Sequence, residues 1–157
     1  YYHEEFGVNS RLDAVQAAIL QIKLGYLDRW NDQRRVIADR YHQLLQPLSR
    51  VVTPQPSANG RHVWNQYTVR IVDDFSPKAG ELRDRVRTQL QAKGVNSMVY
   101  YPLPLHLQPI YHSLGYLPDR LPVSDRAAHE VLSLPMFPEL AIEQQDQVVY
   151  SLKDCLG

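Results

Sequence analysis

A single cysteine, Cys155, is all the chain carries, so no internal disulfide can form, and neither a CxxC pair nor a cysteine zinc cluster exists. Net charge is missing as well: 17 Lys and Arg balance 17 Asp and Glu over 157 residues. A protein that grips nucleic acid by broad phosphate neutralisation needs a basic excess, so no nucleic-acid partner is expected. No apolar run approaches the ~20 residues of a membrane-spanning helix, and no signal-like leader is seen. A soluble, cytoplasmic protein with no membrane partner is the expectation. There is no G-x-S-x-G nucleophile elbow, and His3-Glu4-Glu5 has the spacing of no recognised metal site, so no metal is expected. The opening Tyr1-Tyr2-His3 lacks an initiator methionine, and the expectation is a chain that starts partway through a longer product.

What the chain does have is patterning. Its length suits one domain, or one compact domain plus a connecting arm. Ser10 followed by Asp13 resembles a capping box. Behind it Leu12, Val15, Ile19, Ile22 and Tyr26 recur at the spacing of one buried helical stripe. Gly25 marks a bend, and the pattern resumes at Trp30, Ile37, Tyr41, Leu44 and Leu45 until Pro47 ends it. Two such helices reach about 50 Å at 1.5 Å per residue, which suits a helical connecting arm over residues 1–48. Residues 49–157 then read as a small α/β or α+β domain.

Within that domain, residues 53–60 are loop chemistry. Val63 to Val72 predicts a strand with Val63, Tyr67, Val69 and Ile71 on one face. Ser76-Pro77 opens a helix that turns Leu82, Val86 and Leu90 inward, and Gly94 is its natural stop. A second strand is expected over 95–101. A proline-punctuated stretch follows, with a turn of helix near Ile110–Leu114. Ser124 is read as the cap of a helix to about Val131, Leu132–Leu134 as a short strand, and residues 142–155 as a last helix with Val148, Val149 and Leu152 inward.

Three groups of residues invite chemistry. Asn9 stands just before the expected cap, where unpaired N–H groups and the helix dipole favour an anion; Gly7 allows close approach, and Arg11 adds a charge. The same residues also make an ordinary turn. Tyr100-Tyr101-Pro102-Leu103-Pro104-Leu105-His106-Leu107-Gln108 places two tyrosines on opposite faces of a strand and then stiffens a loop that holds His106. Rings plus a few hydrogen-bonding tips are how a sugar nucleotide is gripped; a plain surface loop is the blander reading. Trp64, in His62-Val63-Trp64-Asn65-Gln66-Tyr67-Thr68, reads as a packed cross-strand aromatic.

Four blocks, residues 7–20, 62–70, 99–108 and 132–140, occur in an order that resembles the C-terminal part of the DegT/DnrJ/EryC1/StrS aminotransferases. That resemblance implies the small C-terminal domain of the aspartate-aminotransferase fold. It further implies an enzyme dependent on pyridoxal 5'-phosphate (PLP) that moves an amino group from an amino-acid donor to a nucleotide-linked keto sugar. It implies homodimers with shared active sites, with Asn9 reaching the PLP phosphate of the partner's site. Arg11, Tyr100, Tyr101 and His106 are implied to face the nucleotide-sugar substrate. The lysine that anchors PLP in this family has no counterpart here: Lys23, Lys78, Lys93 and Lys153 all lie elsewhere. The isolated chain is therefore expected to be inactive, with no catalytic residue of its own. The alternative is a stand-alone regulatory or binding module of the same fold.

Overall fold

The computed structural model describes residues 1–73 and 80–157; the Ser76-Pro77 helix start and Lys78 lie outside them. Two helices come first, α1 (Ala14–Leu24) and α2 (Leu27–Leu45), joined at Gly25 as the bend predicts. Asp13, not Ser10, caps α1: its Oδ1 accepts from the Gln16 N–H at 2.8 Å. A carboxylate binds that donor more strongly than a hydroxyl does, so the helix starts four residues after Ser10. The apolar stripe of α1 is real but uncovered. Not one residue of α1 is buried, and Val15 and Ile22 are each 71% exposed.

The far half of α2 behaves differently. Ile37, Ala38, Tyr41 and Leu45 sink into the core, spaced as a helix face requires. They meet a sheet that, among the described residues, has three antiparallel strands in the order β1 (Val51–Val52), β2 (Tyr67–Ile71), β3 (Val131–Leu134). Tyr67, Val69 and Ile71 alternate inward along β2, and Leu132 and Leu134 join them from β3. Helices α3 (Glu81–Ala92), with Leu82, Val86 and Leu90, and α5 (Ile142–Leu156), with Val148 and Leu152, complete that buried cluster. The result is an α+β domain.

Several boundaries differ from expectation, each for a local reason. Val63 is 47% exposed and outside β2, because Trp64 takes a left-handed backbone (φ 49°) that breaks the strand. Its N–H donates to His62 Nδ1 at 2.9 Å, and its ring packs beside Tyr67. Residues 95–101 form no regular strand; only Met98 bridges to Ser133 before the prolines intervene. Helix α4 (Pro122–Glu130) begins at Pro122, a fixed φ suited to a first turn, so Leu121 rather than Ser124 precedes it. The α3 stop at Gly94 (φ 77°) is as expected: Val95 N–H returns to Leu90 O and Gly94 N–H to Gln91 O, a Schellman closure.

Arg83 ties this framework to the region that matters next. Buried on α3, its guanidinium donates to the carbonyls of Ala128 (3.0 Å) and Val131 (2.9 Å), where α4 gives way to β3.

Candidate functional site

Between α4 and residues 100–116 lies a cavity of about 800 Å³. Its walls are built from leucines, alanines and a proline together with tyrosine rings, with polar tips from those tyrosines and from His106. That balance is typical of a pocket for a small organic ligand. Tyr100, Tyr101 and His106 all line it, so three residues singled out in the sequence meet there.

The two tyrosines do not stand on a strand. The peptide joining them is cis, and their rings lie 5.9 Å apart at 67°. Tyr100 is half-buried and Tyr101 is 62% exposed. The ring of Tyr1 stands edge-on to both, at 6.2 and 5.6 Å. His106 sits on a short 3-10 turn (Leu105–Leu107) that follows Pro104, and it is almost wholly buried. Its Nε2 lies 3.2 Å from Oδ1 of Asp125 on α4. The two atoms are close enough for an ion pair but not aligned as a hydrogen bond, and both are sealed from solvent with no other partner. The other oxygen of Asp125 accepts from the Asp119 N–H at 2.9 Å.

A second buried polar group lines the same cavity. Gln108 is 4% exposed; its Oε1 accepts from the His3 N–H (3.0 Å) and its Nε2 donates to the Tyr1 carbonyl (2.9 Å). Ile110 N–H adds a bond to the His3 carbonyl at 3.1 Å, and Phe6 meets the ring of Tyr111 at 6.0 Å. Residues 1–6 thus lie as a strap along the cavity, held by the Gln108 side chain and one main-chain bond from a segment more than 100 positions away.

Asn9 and Arg11 line no part of this cavity. Both are exposed. Asn9 Oδ1 accepts from the Arg11 N–H at 3.1 Å, and Arg11 holds a left-handed backbone (φ 59°). That turn lies upstream of the helix mouth, and the carboxylate of Asp13 already occupies the mouth. The helix dipole therefore offers no free anion position at Asn9 in this structure. What remains is chemical: the Asn9 amide N–H₂ and the Arg11 guanidinium have no partner among the described residues, and both are donors.

None of the described lysines reaches the cavity. Lys23 lies 6.0 Å over the Trp30 ring, Lys93 pairs with Asp154 at 2.7 Å, and Lys153 is exposed. Cys155 is buried in α5, and burial pushes its thiol pKa up, which keeps it protonated and unreactive at neutral pH. Among the described residues no cluster of His, Cys, Asp or Glu could hold a metal ion, and no helix is long and apolar enough to cross a membrane.

Asp125 was not legible as a site residue, and Gln108 only as the end of the Tyr100–Gln108 cluster, with no role of its own. Each carries one weak signal: an acid in the first turn after a leucine-proline pair, and a glutamine set in an apolar, proline-rich stretch. Only the fold shows what they meet.

Comparison with known proteins agrees with this architecture. A protein named "Pleiotropic regulatory protein" from Geobacillus stearothermophilus is 49% identical over 98% of this chain and 40% of its own length. A "dTDP-3-amino-3,4,6-trideoxy-alpha-D-glucose transaminase" from Streptomyces venezuelae is 36% identical over 98% of this chain and 38% of its own. Among solved structures, S. venezuelae DesV in complex with ketimine intermediate superposes with a TM-score of 0.83 at 35% identity, covering 99% of this chain and 40% of that one. The ntda structure from Bacillus subtilis with bound cofactor PMP gives 0.76 at 32% identity, over 97% and 34%. The chain spans about two-fifths of the length of the curated relatives it matches. With residues 1–153 matching the family model, the chain belongs to the DegT/DnrJ/EryC1/StrS aminotransferase family.

Proposed function

We propose that this chain forms the substrate-facing C-terminal part of a PLP-dependent aminotransferase acting on nucleotide-linked keto sugars, with an amino acid as donor. One observation carries the reading. Tyr100, Tyr101 and His106, the residues the family likeness directs at the sugar nucleotide, converge on one apolar cavity of about 800 Å³. The S. venezuelae relative is named for a nucleotide-linked amino sugar, and the ntda structure holds the amine form of the cofactor.

The residues present fit part of the cofactor's needs. Free donors on Asn9 and Arg11 suit a phosphate or another anion, while no described lysine faces the cavity. PLP, when bound, supplies an electron sink for the carbon that exchanges its amino group, anchored through a lysine amine. This chain's residues bind and orient: the tyrosine rings stack on flat or sugar surfaces, His106 offers a ring nitrogen, and the leucine walls exclude water. The chain alone therefore does not transaminate. We further propose a cytoplasmic homodimer with shared sites, in which residues 1–48 are the arm, its far end from Ile37 to Leu45 packed into the core of the 49–157 domain, and Asn9 serves the partner's cofactor.

The test uses the full-length protein. Asn9→Ala removes one hydrogen bond to a charged phosphate, worth about 1.5–3 kcal/mol, so PLP should dissociate more readily while folding stays intact. Equal PLP affinity in the variant would refute the phosphate role. Adding PLP to the isolated chain should give no absorbance of lysine-bound cofactor; such a band would overturn its inactivity. A second reading rests on the Geobacillus relative's name: a regulatory module without catalysis. It is favoured if the full-length protein binds nucleotide sugars but forms no amino sugar from a keto sugar and glutamate.

A further inference from the structure

We infer that Asp125 is a positioning residue which fixes the tautomer of His106, so that Nδ1 is presented to the bound ligand as a hydrogen-bond acceptor. The inference rests on the proposed reading of the cavity as a sugar-nucleotide site and names how one wall of it works.

The geometry assigns the two ring nitrogens different tasks. Nε2 of His106 has no accessible surface and faces Oδ1 of Asp125 at 3.2 Å, and neither atom has another partner. Two buried polar atoms at that distance settle their needs on each other, and the bond aligns with a small ring rotation. A carboxylate only accepts, so Nε2 must carry the hydrogen. In a neutral imidazole Nδ1 is then the bare, accepting nitrogen. Nδ1 is not among the sealed atoms, and His106 lines the cavity. A hydroxyl of a bound sugar is the matching donor.

Asp125 is itself held. Its Oδ2 accepts from the Asp119 N–H at 2.9 Å, and its position on α4 is tied through Ala128 and Val131 to the buried Arg83. The carboxylate therefore spends one oxygen on the loop at Asp119 and the other on the histidine. This division makes an isosteric test possible. In Asp125→Asn the single side-chain oxygen goes to the Asp119 N–H, which leaves the NH₂ group facing Nε2. The amide can only donate there, so the ring must invert, with its hydrogen on Nδ1.

The experiment is nitrogen-15 NMR of the histidine rings in the full-length protein, parent against Asp125→Asn, with assignment by loss of the signal in His106→Ala. Binding of two non-reactive nucleotide sugars, dTDP-glucose and UDP-N-acetylglucosamine, is measured by calorimetry on the same samples. The parent should show His106 protonated at Nε2 and the variant at Nδ1. Affinity for the better of the two probes should fall about tenfold, the value of one hydrogen bond to a buried acceptor. In a His106→Ala background, Asp125→Asn should weaken binding no further, because its effect passes through the ring; a merely structural role would persist there. An identical tautomer in parent and variant overturns the inference. So does an inverted tautomer with undiminished binding. A parent that binds neither probe counts against the sugar-nucleotide reading alone, since the NMR result stands without it.

Discussion

The strap over the cavity should open when Gln108 is changed to Met. Methionine is close to glutamine in volume and flexible, so the buried site stays filled while both amide contacts vanish. The His3 N–H and the Tyr1 carbonyl each lose a partner; only the Ile110 N–H bond to the His3 carbonyl survives. Two neutral hydrogen bonds contribute about 1–3 kcal/mol together. That is a shift of about five- to 150-fold in the local opening equilibrium. Amide hydrogen exchange reads it directly. The His3 and Ile110 amides should exchange faster by that factor, while amides in α5, which share no contact with the strap, should not change. With the strap loosened, Tyr1 leaves the rings of Tyr100 and Tyr101, and nucleotide-sugar affinity should drop in parallel. Unchanged protection at His3 would show that Gln108 is a bystander.

Arg83→Met leaves the carbonyls of Ala128 and Val131 without their charged donor, which costs about 2–4 kcal/mol; thermal unfolding should show a clear fall in Tm, and an unaltered Tm would remove Arg83 from the framework. Burial raises the phenol pKa of both Tyr41 and Tyr67. The folded protein thus keeps those protons where the unfolded chain releases them, so stability holds below about pH 10 and declines as pH climbs past it. Urea midpoints from pH 8 to pH 11 should trace that decline, shallower in Tyr41→Phe; a flat profile would contradict it. The uncovered stripe of α1 predicts concentration-dependent association of the isolated chain, abolished by Ile19→Glu with Ile22→Glu; sedimentation showing a monomer with α1 intact would refute this.

Helices α2, α3 and α5 were legible because each repeats its apolar residues over several turns, and β3 because a proline closes it. The errors arose where one residue outweighs a pattern. Asp13 displaces Ser10 as a cap, Trp64 in a left-handed backbone shortens β2, and Pro122 starts α4 early. β1 is two residues long, too short to carry a period. The stretch 95–101 alternates like a strand but has a partner only at Ser133. The likeness to a family pointed at Tyr100, Tyr101 and His106, yet the cavity they share is assembled from positions 3 to 131. No local spacing encodes such an assembly. Asp125 and the latching role of Gln108 were illegible for the same reason, since each matters only through what another segment brings to it.

The two halves of the proposed site place opposite demands on the chain. The cavity is built for permanence: apolar walls, a sealed histidine–carboxylate contact, a buried glutamine latch. The Asn9–Arg11 turn is built from exposed groups, and it keeps a non-glycine residue in the left-handed region, at a cost of roughly 1–3 kcal/mol. Nothing within the described chain packs on that turn to offset the strain. Under the proposed function the offset arrives from outside, when an anion takes the free donors of Asn9 and Arg11 and another surface covers the α1 stripe that follows. On that proposal, a turn that is strained and held alone only by its own Asn9–Arg11 bond ties cofactor capture to the burial of α1. Cofactor retention and subunit association should then weaken together when either is disturbed.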